Sequence, residues 1–124
     1  MSPINARTGE IEHWLWRDRQ IIATTNGPSC DIRHYDGLIA ISAVSQGAIG
    51  GVNVCQVQLQ HSANGTDWVT YGTVCTFTTK SEGYCVGYDT QALSRYIRVR
   101  MVLGAGAACT LAVSFRGRKQ ATCM

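Results

Sequence analysis

A chain of 124 residues with a formal charge of +3 and only 15% charged side chains has the length of one domain and a mild basic balance. Its 13 glycines, 2 prolines and scarce Lys and Glu make poor surface helices and good strands joined by turns. No basic run marks a nucleic-acid tract, and no apolar run reaches the roughly 20 residues of a membrane helix. The opening MSPINARTGEIEHW lacks the apolar centre of an export signal. The expectation is an all-β protein made in the cytosol, with no nucleic-acid or membrane partner.

Residues 1–19 read as the least regular stretch, with Pro3, Gly9 and the dense group His13-Trp14-Leu15-Trp16-Arg17-Asp18-Arg19. Trp14 and Trp16 share one face of an extended chain. They either cover the open end of a sandwich or anchor an arm on another subunit, since aromatic and Arg residues are enriched at interfaces. An N-terminal arm is therefore expected over 1–19, a β-sandwich domain over 20–118 and a C-terminal tail over 119–124.

Gln20 to Thr24 predicts a short strand, Thr25-Asn26-Gly27-Pro28-Ser29 a turn, and Cys30 to His34 a second short segment before the Tyr35-Asp36-Gly37 turn. In Leu38 to Gln46, Ile39 and Ile41 are placed inward. The stretch Gly47-Ala48-Ile49-Gly50-Gly51 reads as a loop. Val52 to Phe77 then reads as two long strands folded on Asn64-Gly65, a dipeptide suited to the positive φ of a tight turn. Cys55, Val57 and Leu59 are set inward, facing Tyr71, Cys75 and Phe77.

Gly83 to Tyr88 predicts a return strand, and Asp89 to Ser94 a loop or single helical turn. Arg95 to Leu103 alternates Ile97, Val99, Met101 and Leu103 inward against an outer face with Arg98 and Arg100. After the small turn Gly104 to Ala107, Ala108 to Arg116 points Cys109, Leu111, Val113 and Phe115 inward. Seven or eight short strands with turn signals between them predict a single-domain β-sandwich, best drawn as a jelly roll.

Six cysteines would suggest three bridges in a secreted chain. Without an export signal, and with Cys55, Cys75 and Cys109 on apolar parities, buried thiols are the default. Cys75 and Cys85 flank the turn TFTTKSEGY and form the one candidate disulfide, as opposed partners of a hairpin.

No catalytic constellation is assigned. His61, Ser62 and Asp67 crowd one turn, and Ser62, Asn64 and Asp67 are explained as turn formers. Asp31, His34 and Asp36 lack a fourth metal ligand, so no metal or other cofactor is expected. Arg95, Arg98 and Arg100 form a candidate basic stripe, read as a solvated face in preference to an anion site.

The segments VQLQHSANGTDWVTYGTV, SRYIRVRMVL and GAGAACTLAVSFRGR resemble small β-sandwich proteins of tailed bacteriophages. The likeness spans Val57 to Arg118, about half the chain. In size the chain is most similar to the capsid decoration, or cement, proteins of jelly-roll type. That resemblance implies a non-enzymatic virion protein on the capsid exterior, bound to the major capsid protein and to itself as a dimer or trimer. Trp14, Trp16, Arg17 and Arg19 would then form the capsid or subunit interface. A phage tail or baseplate role is an alternative within the same group. The Ser-x-Asn-Gly-x-x-Trp turn and the Arg-Tyr-Ile-Arg-Val strand are also similar to discoidin-type carbohydrate-binding modules, for which Trp68 and Tyr84 would be the residues to watch.

Overall fold

A computed structural model describes residues 10–49, 54–78 and 80–119. Among the described residues nine strands follow in chain order: β1 (Glu10–Ile21), β2 (Thr25–Asn26), β3 (Cys30–Asp31), β4 (Tyr35–Ile49), β5 (Cys55–Ser62), β6 (Val69–Phe77), β7 (Glu82–Asp89), β8 (Tyr96–Leu103) and β9 (Ala108–Lys119). A single 3-10 turn, Thr90–Ala92, links β7 to β8 and is capped by the Asp89 carboxylate, which accepts from the Gln91 N–H.

The strands form two antiparallel sheets, ordered β1-β9-β4-β7 and β2-β8-β5-β6, with β3 also paired to β8. The pairs nest. β1 meets β9, β2 and β3 meet β8, β4 meets β7 and β5 meets β6. That is one long hairpin wrapped over itself, which is the jelly-roll topology. Alternation decides what fills it: Ile39, Ile41 and Ala43 from β4 and Leu111, Val113 and Phe115 from β9 meet Val57 and Leu59 from β5 and Ile97, Val99 and Met101 from β8, all essentially solvent-free.

The expected arm is corrected over residues 10–19. They belong to β1, hydrogen-bonded along β9 from Glu10 opposite Arg118 to Ile21 opposite Cys109. Residues 1–9 and the tail from 120 lie outside the described residues. The shared face expected for the two tryptophans is corrected as well. Trp14 faces Ser114 but Trp16 faces Val113, so two steps of β1 match one of β9. This bulge turns both Leu15 and Trp16 inward and leaves Trp14 outside.

The hairpin holds with two further bulges. Val57 faces Cys75 but Gln58 faces Thr73, and Leu59 faces Gly72 but Gln60 faces Thr70. Val74 and Cys75 are thereby both buried, while Tyr71, expected inside, is 42% exposed. Val52 and Asn53 lie outside the described residues. Gly47 to Ile49, expected in a loop, instead continue β4 along β9, and Gly50 and Gly51 lie outside the described residues. Thr25-Asn26, expected in a turn, pairs with Met101 and Arg100.

Cys75 and Cys85 do not bridge. β6 and β7 belong to different sheets, so the two residues are never opposed: Cys75 pairs with Val57 and is buried, whereas Cys85 pairs with Ser42 and is exposed. Both are free thiols.

Candidate interaction surface

The four residues singled out near the N-terminus lie on β1, an edge strand of the first sheet. Trp14 is 46% exposed and the Arg17 guanidinium stands 5.9 Å from its ring centroid. Arg19 lies 4.1 Å over the ring of Trp16, sealing that buried indole from solvent. The structure thus brings Trp14, Arg17 and Arg19 to the surface and withdraws Trp16 into the core, where its Nε1 has no hydrogen-bond partner. A groove of about 480 Å³ runs beside them, lined by Glu12, Trp14, Trp16, Arg17, Arg19 and Pro28. Its far wall is the chain after β2, which passes so close that a Cβ on Gly27 would come 2.6 Å from the Leu15 carbonyl oxygen.

Trp14 borders an unusual sheet face. Across the strands it is aligned with Ser114, Ser42 and Cys85, and the next row carries Glu12, Arg116, Ala40 and Gly87. Glu12 and Arg116 face each other as opposite charges, and Ser114 Oγ donates to the Glu12 carboxylate at 3.5 Å. The remainder is small and uncharged, so the large indole stands at the margin of a flat surface. This face was not found from sequence. Its signal was the alternation of Ala40, Ser42 and Val44 against Ile39, Ile41 and Ala43, which shows small side chains outside but not the neighbours they meet.

The outer face of the second sheet is polar by contrast. Gln58 and Gln60 of β5 sit beside Arg100 and Arg98 of β8. Of the candidate basic stripe, Arg95 is neutralised by Asp31 through Nε and Nη2 at 3.1 and 3.0 Å. Burial pulls the Asp31 carboxyl upward, but the hydrogen bonds from Arg95 and the Arg33 backbone N–H, with the charges of both arginines, outweigh it and hold the group below its ordinary value. Arg98 donates from Nε to Gln60 Oε1 at 2.8 Å and stacks 4.4 Å over Trp68. Desolvation, then the neighbouring Arg100, lowers its pKa. Arg95 and Arg98 are knit into the sheet.

The tip of the β5–β6 hairpin is a hydrogen-bonded knot. Ser62 Oγ donates to Asn64 Oδ1 at 2.9 Å and accepts from the Gly65 N–H at 2.9 Å; Asn64 Oδ1 also accepts the Thr66 and Asp67 N–H groups. His61 points elsewhere: its Nδ1 accepts the Ser94 N–H at 3.0 Å and its ring meets Tyr71 edge-on at 5.3 Å. The three residues that invited a triad are therefore not joined as one. Asp31 is engaged by Arg95 and His34 Nε2 accepts from Arg33 Nε at 3.2 Å; among the described residues no three His, Cys, Asp or Glu side chains gather to hold a metal.

Trp68 and Tyr84 do not build a common platform. Trp68 precedes β6 and is half-buried under Arg98. Tyr84 lies within β7, 41% exposed, its hydroxyl donating to Glu82 at 2.9 Å and its ring 5.9 Å from Phe77.

No protein-family model matches the chain, and no curated protein matches it either. Solved structures do. A chain of infectious bursal disease virus, Gx strain, superposes with a TM-score of 0.60 over 87% of this protein at 14% identity. The VP2 subviral particle of the same virus gives a TM-score of 0.56, again at 14% identity and 87% coverage. The likeness is one of fold. This chain spans about a third of those viral chains, 31% in each case. The correspondence is of the two-sheet β-sandwich fold.

Proposed function

We propose that this protein is a structural component of a virion, decorating the exterior of a phage capsid and bridging its subunits, with β1 and the sheet face beside it as the contact surface. The observation that carries the reading is the nested two-sheet topology shared with the viral particle chains, together with a surface-exposed Trp14 flanked by Arg17 and Arg19 on an edge strand. Trp and Arg are the side chains that most often dominate binding at the centre of an interface. A flat face of Ala, Ser and Gly lets a partner approach without clashes, and Trp14 gives it one large anchor. Repetition over a symmetric shell then makes many modest contacts into firm attachment. The partners in this reading are the major capsid protein and further copies of the chain; no enzymatic step is required.

The test is retention on purified capsids. Trp14→Ala is expected to weaken binding by roughly 10- to 100-fold, and Arg17→Ala to weaken it by less, while Arg100→Ala on the opposite sheet leaves it unchanged. If capsids hold Trp14→Ala and Arg17→Ala as firmly as the parent, β1 is not the contact. A protein indifferent to capsids in every form sinks the virion reading itself. Deleting residues 1–19 is not a usable test, because it removes β1 from the sheet.

A further inference from the structure

An open sheet edge is a template for another strand, and proteins guard such edges with bulges, charge or brevity. Among the described residues the two sheets present four edges, and three are guarded. β1 carries two register shifts and the charges of Arg17, Asp18 and Arg19. β6 carries two register shifts, and β2 and β3 are only two residues each. β7 has none of these devices. It runs for eight residues along β4, from Glu82 opposite Ser45 to Asp89 opposite Leu38, without a shift. It contains no proline or lysine, its two charges stand at its ends, and its other side has no strand partner among the described residues.

Alternation gives β7 two unlike faces. Gly83, Cys85 and Gly87 lie on the outer side of the sheet, in rows with Val44, Ser42 and Ala40. Cys85 is exposed, and a Cβ placed on Gly87 would meet nothing within 4 Å. Tyr84, Val86 and Tyr88 lie on the other side, where the Tyr84 ring stands 5.9 Å from Phe77 and the Tyr88 ring 5.9 Å from Tyr71. Tyr84 and Tyr71 are both exposed, so an aromatic strip borders the open edge. Unpaired backbone groups beside exposed tyrosines suit a strand of another protein, since strand addition takes its affinity from main-chain hydrogen bonds and tyrosine is enriched at interfaces.

We propose that β7 pairs antiparallel with β7 of a second copy about a two-fold axis at Cys85, joining two four-stranded sheets into one of eight strands. A two-fold contact requires a surface that complements itself, and this strand does. Gly83 faces the second copy's Gly87, Cys85 the second copy's Cys85, and Tyr84 the second copy's Val86. Small residues meet small ones on the outer side, and an aromatic meets an aliphatic on the other. Moving the axis to Val86 would set Tyr84 against Tyr88 and draw Asp89 into the ladder, although its carboxylate already accepts the Gln91 N–H at 3.0 Å. In the paired sheet the two β1 strands lie at opposite margins, roughly 30–35 Å apart at seven strand spacings. Each dimer then offers two β1 contacts at once. That bridging rests on the virion reading, whereas the pairing of β7 does not.

The experiment uses the full chain without capsids. Sedimentation velocity should give the mass of two chains, and a short bismaleimide added to the native protein should link the copies, with peptide mapping joining residue 85 to residue 85. Cys85→Lys and Gly87→Lys each set like charges beside the axis on an exposed face, and each should weaken the dimer by about 10- to 100-fold or more while keeping the parent's circular dichroism. Arg100→Ala, on the other sheet, should remain dimeric. A parent that sediments as a monomer at about 100 μM, above the micromolar range of modest interfaces, overturns the proposal, as does a link that maps away from residue 85; neither result needs a variant to fold. Folded lysine variants that dimerise as tightly as the parent overturn it too. A dimer that capsids ignore counts against the virion reading alone, so the two failures are told apart.

Discussion

Gly27 sits where the chain after β2 presses against β1, and no side chain fits there. An added Cβ would lie 2.6 Å from the Leu15 carbonyl oxygen and 3.2 Å from a Val99 methyl, while the Gly27 N–H is held by Val99 O at 2.8 Å. Backbone on one side and a packed core residue on the other cannot yield cheaply. Gly27→Ala is therefore expected to cost about 1–3 kcal/mol in urea unfolding, whereas Gly87→Ala, with nothing within 4 Å of its would-be Cβ, should be nearly neutral. A comparable fall for both would contradict the close approach. At the hairpin tip, Asn64→Ala removes an acceptor shared by Ser62 Oγ and the Thr66 and Asp67 N–H groups. About 1–2 kcal/mol should be lost by the same measurement. The roles of Ser62, Asn64 and Asp67 were legible in sequence, because turn side chains bond backbone two or three residues away. Those of His61 and Arg98 were not, since their partners Ser94 and Gln60 lie 33 and 38 residues distant.

At the scale of strands, alternation found β4, β8 and β9 and their inward faces, because each keeps its register over the core. It failed where the register slips. In β1, two bulges break the period between Trp14 and Arg19, so a strand with Glu10, Glu12 and Trp14 on one parity read as an irregular arm. In β6 the extra residues Val74 and Tyr71 displaced Tyr71 from the core to a ring contact with His61 and Tyr88. The Cys75–Cys85 pairing failed for a different reason. Nearness in sequence suggested a hairpin, but the jelly roll sends β6 and β7 to opposite sheets. Because β1 covers one whole side of β9, a protein beginning at Gln20 should leave β9 as an unpaired edge. Such a chain is expected to aggregate and to lack a cooperative unfolding transition by circular dichroism. A soluble, cooperatively folding product would show that β1 is dispensable after all.

The whole molecule is framed by groups whose ionisation folding disturbs in opposite directions. On the acid side, Glu82 accepts the Thr78 N–H and hydroxyl and the Tyr84 hydroxyl, at 2.6, 2.7 and 2.9 Å, and these bonds hold its carboxyl below the ordinary 4.5. Asp31 lies below 3.8 despite its partial burial. A depressed carboxyl stabilises the fold above its unfolded value and loses that contribution as pH falls through the folded one, so stability should decline from about pH 4.5 downward. On the alkaline side, burial raises Tyr35 from 10.0 to about 12, and Cys55 and Cys75 from 9.0 to about 12. These groups stay neutral inside the sandwich while the unfolded chain ionises, so their contribution is complete below pH 9 and drains away between 9 and 12. Urea midpoints measured across pH should thus form a plateau from about 5 to 9. Replacing Cys75 by Ala lowers the plateau through the lost packing, yet should make the alkaline decline shallower, since one fewer thiol ionises on unfolding. Glu82→Gln should make the acid limb shallower and, because the Glu82 carboxylate also helps to raise Tyr84 and Cys75, should soften the alkaline limb as well. If Cys75→Ala left the alkaline slope unchanged, the thiol would not be titrating with unfolding, and Cys75 would not be shielded from solvent in the folded sandwich.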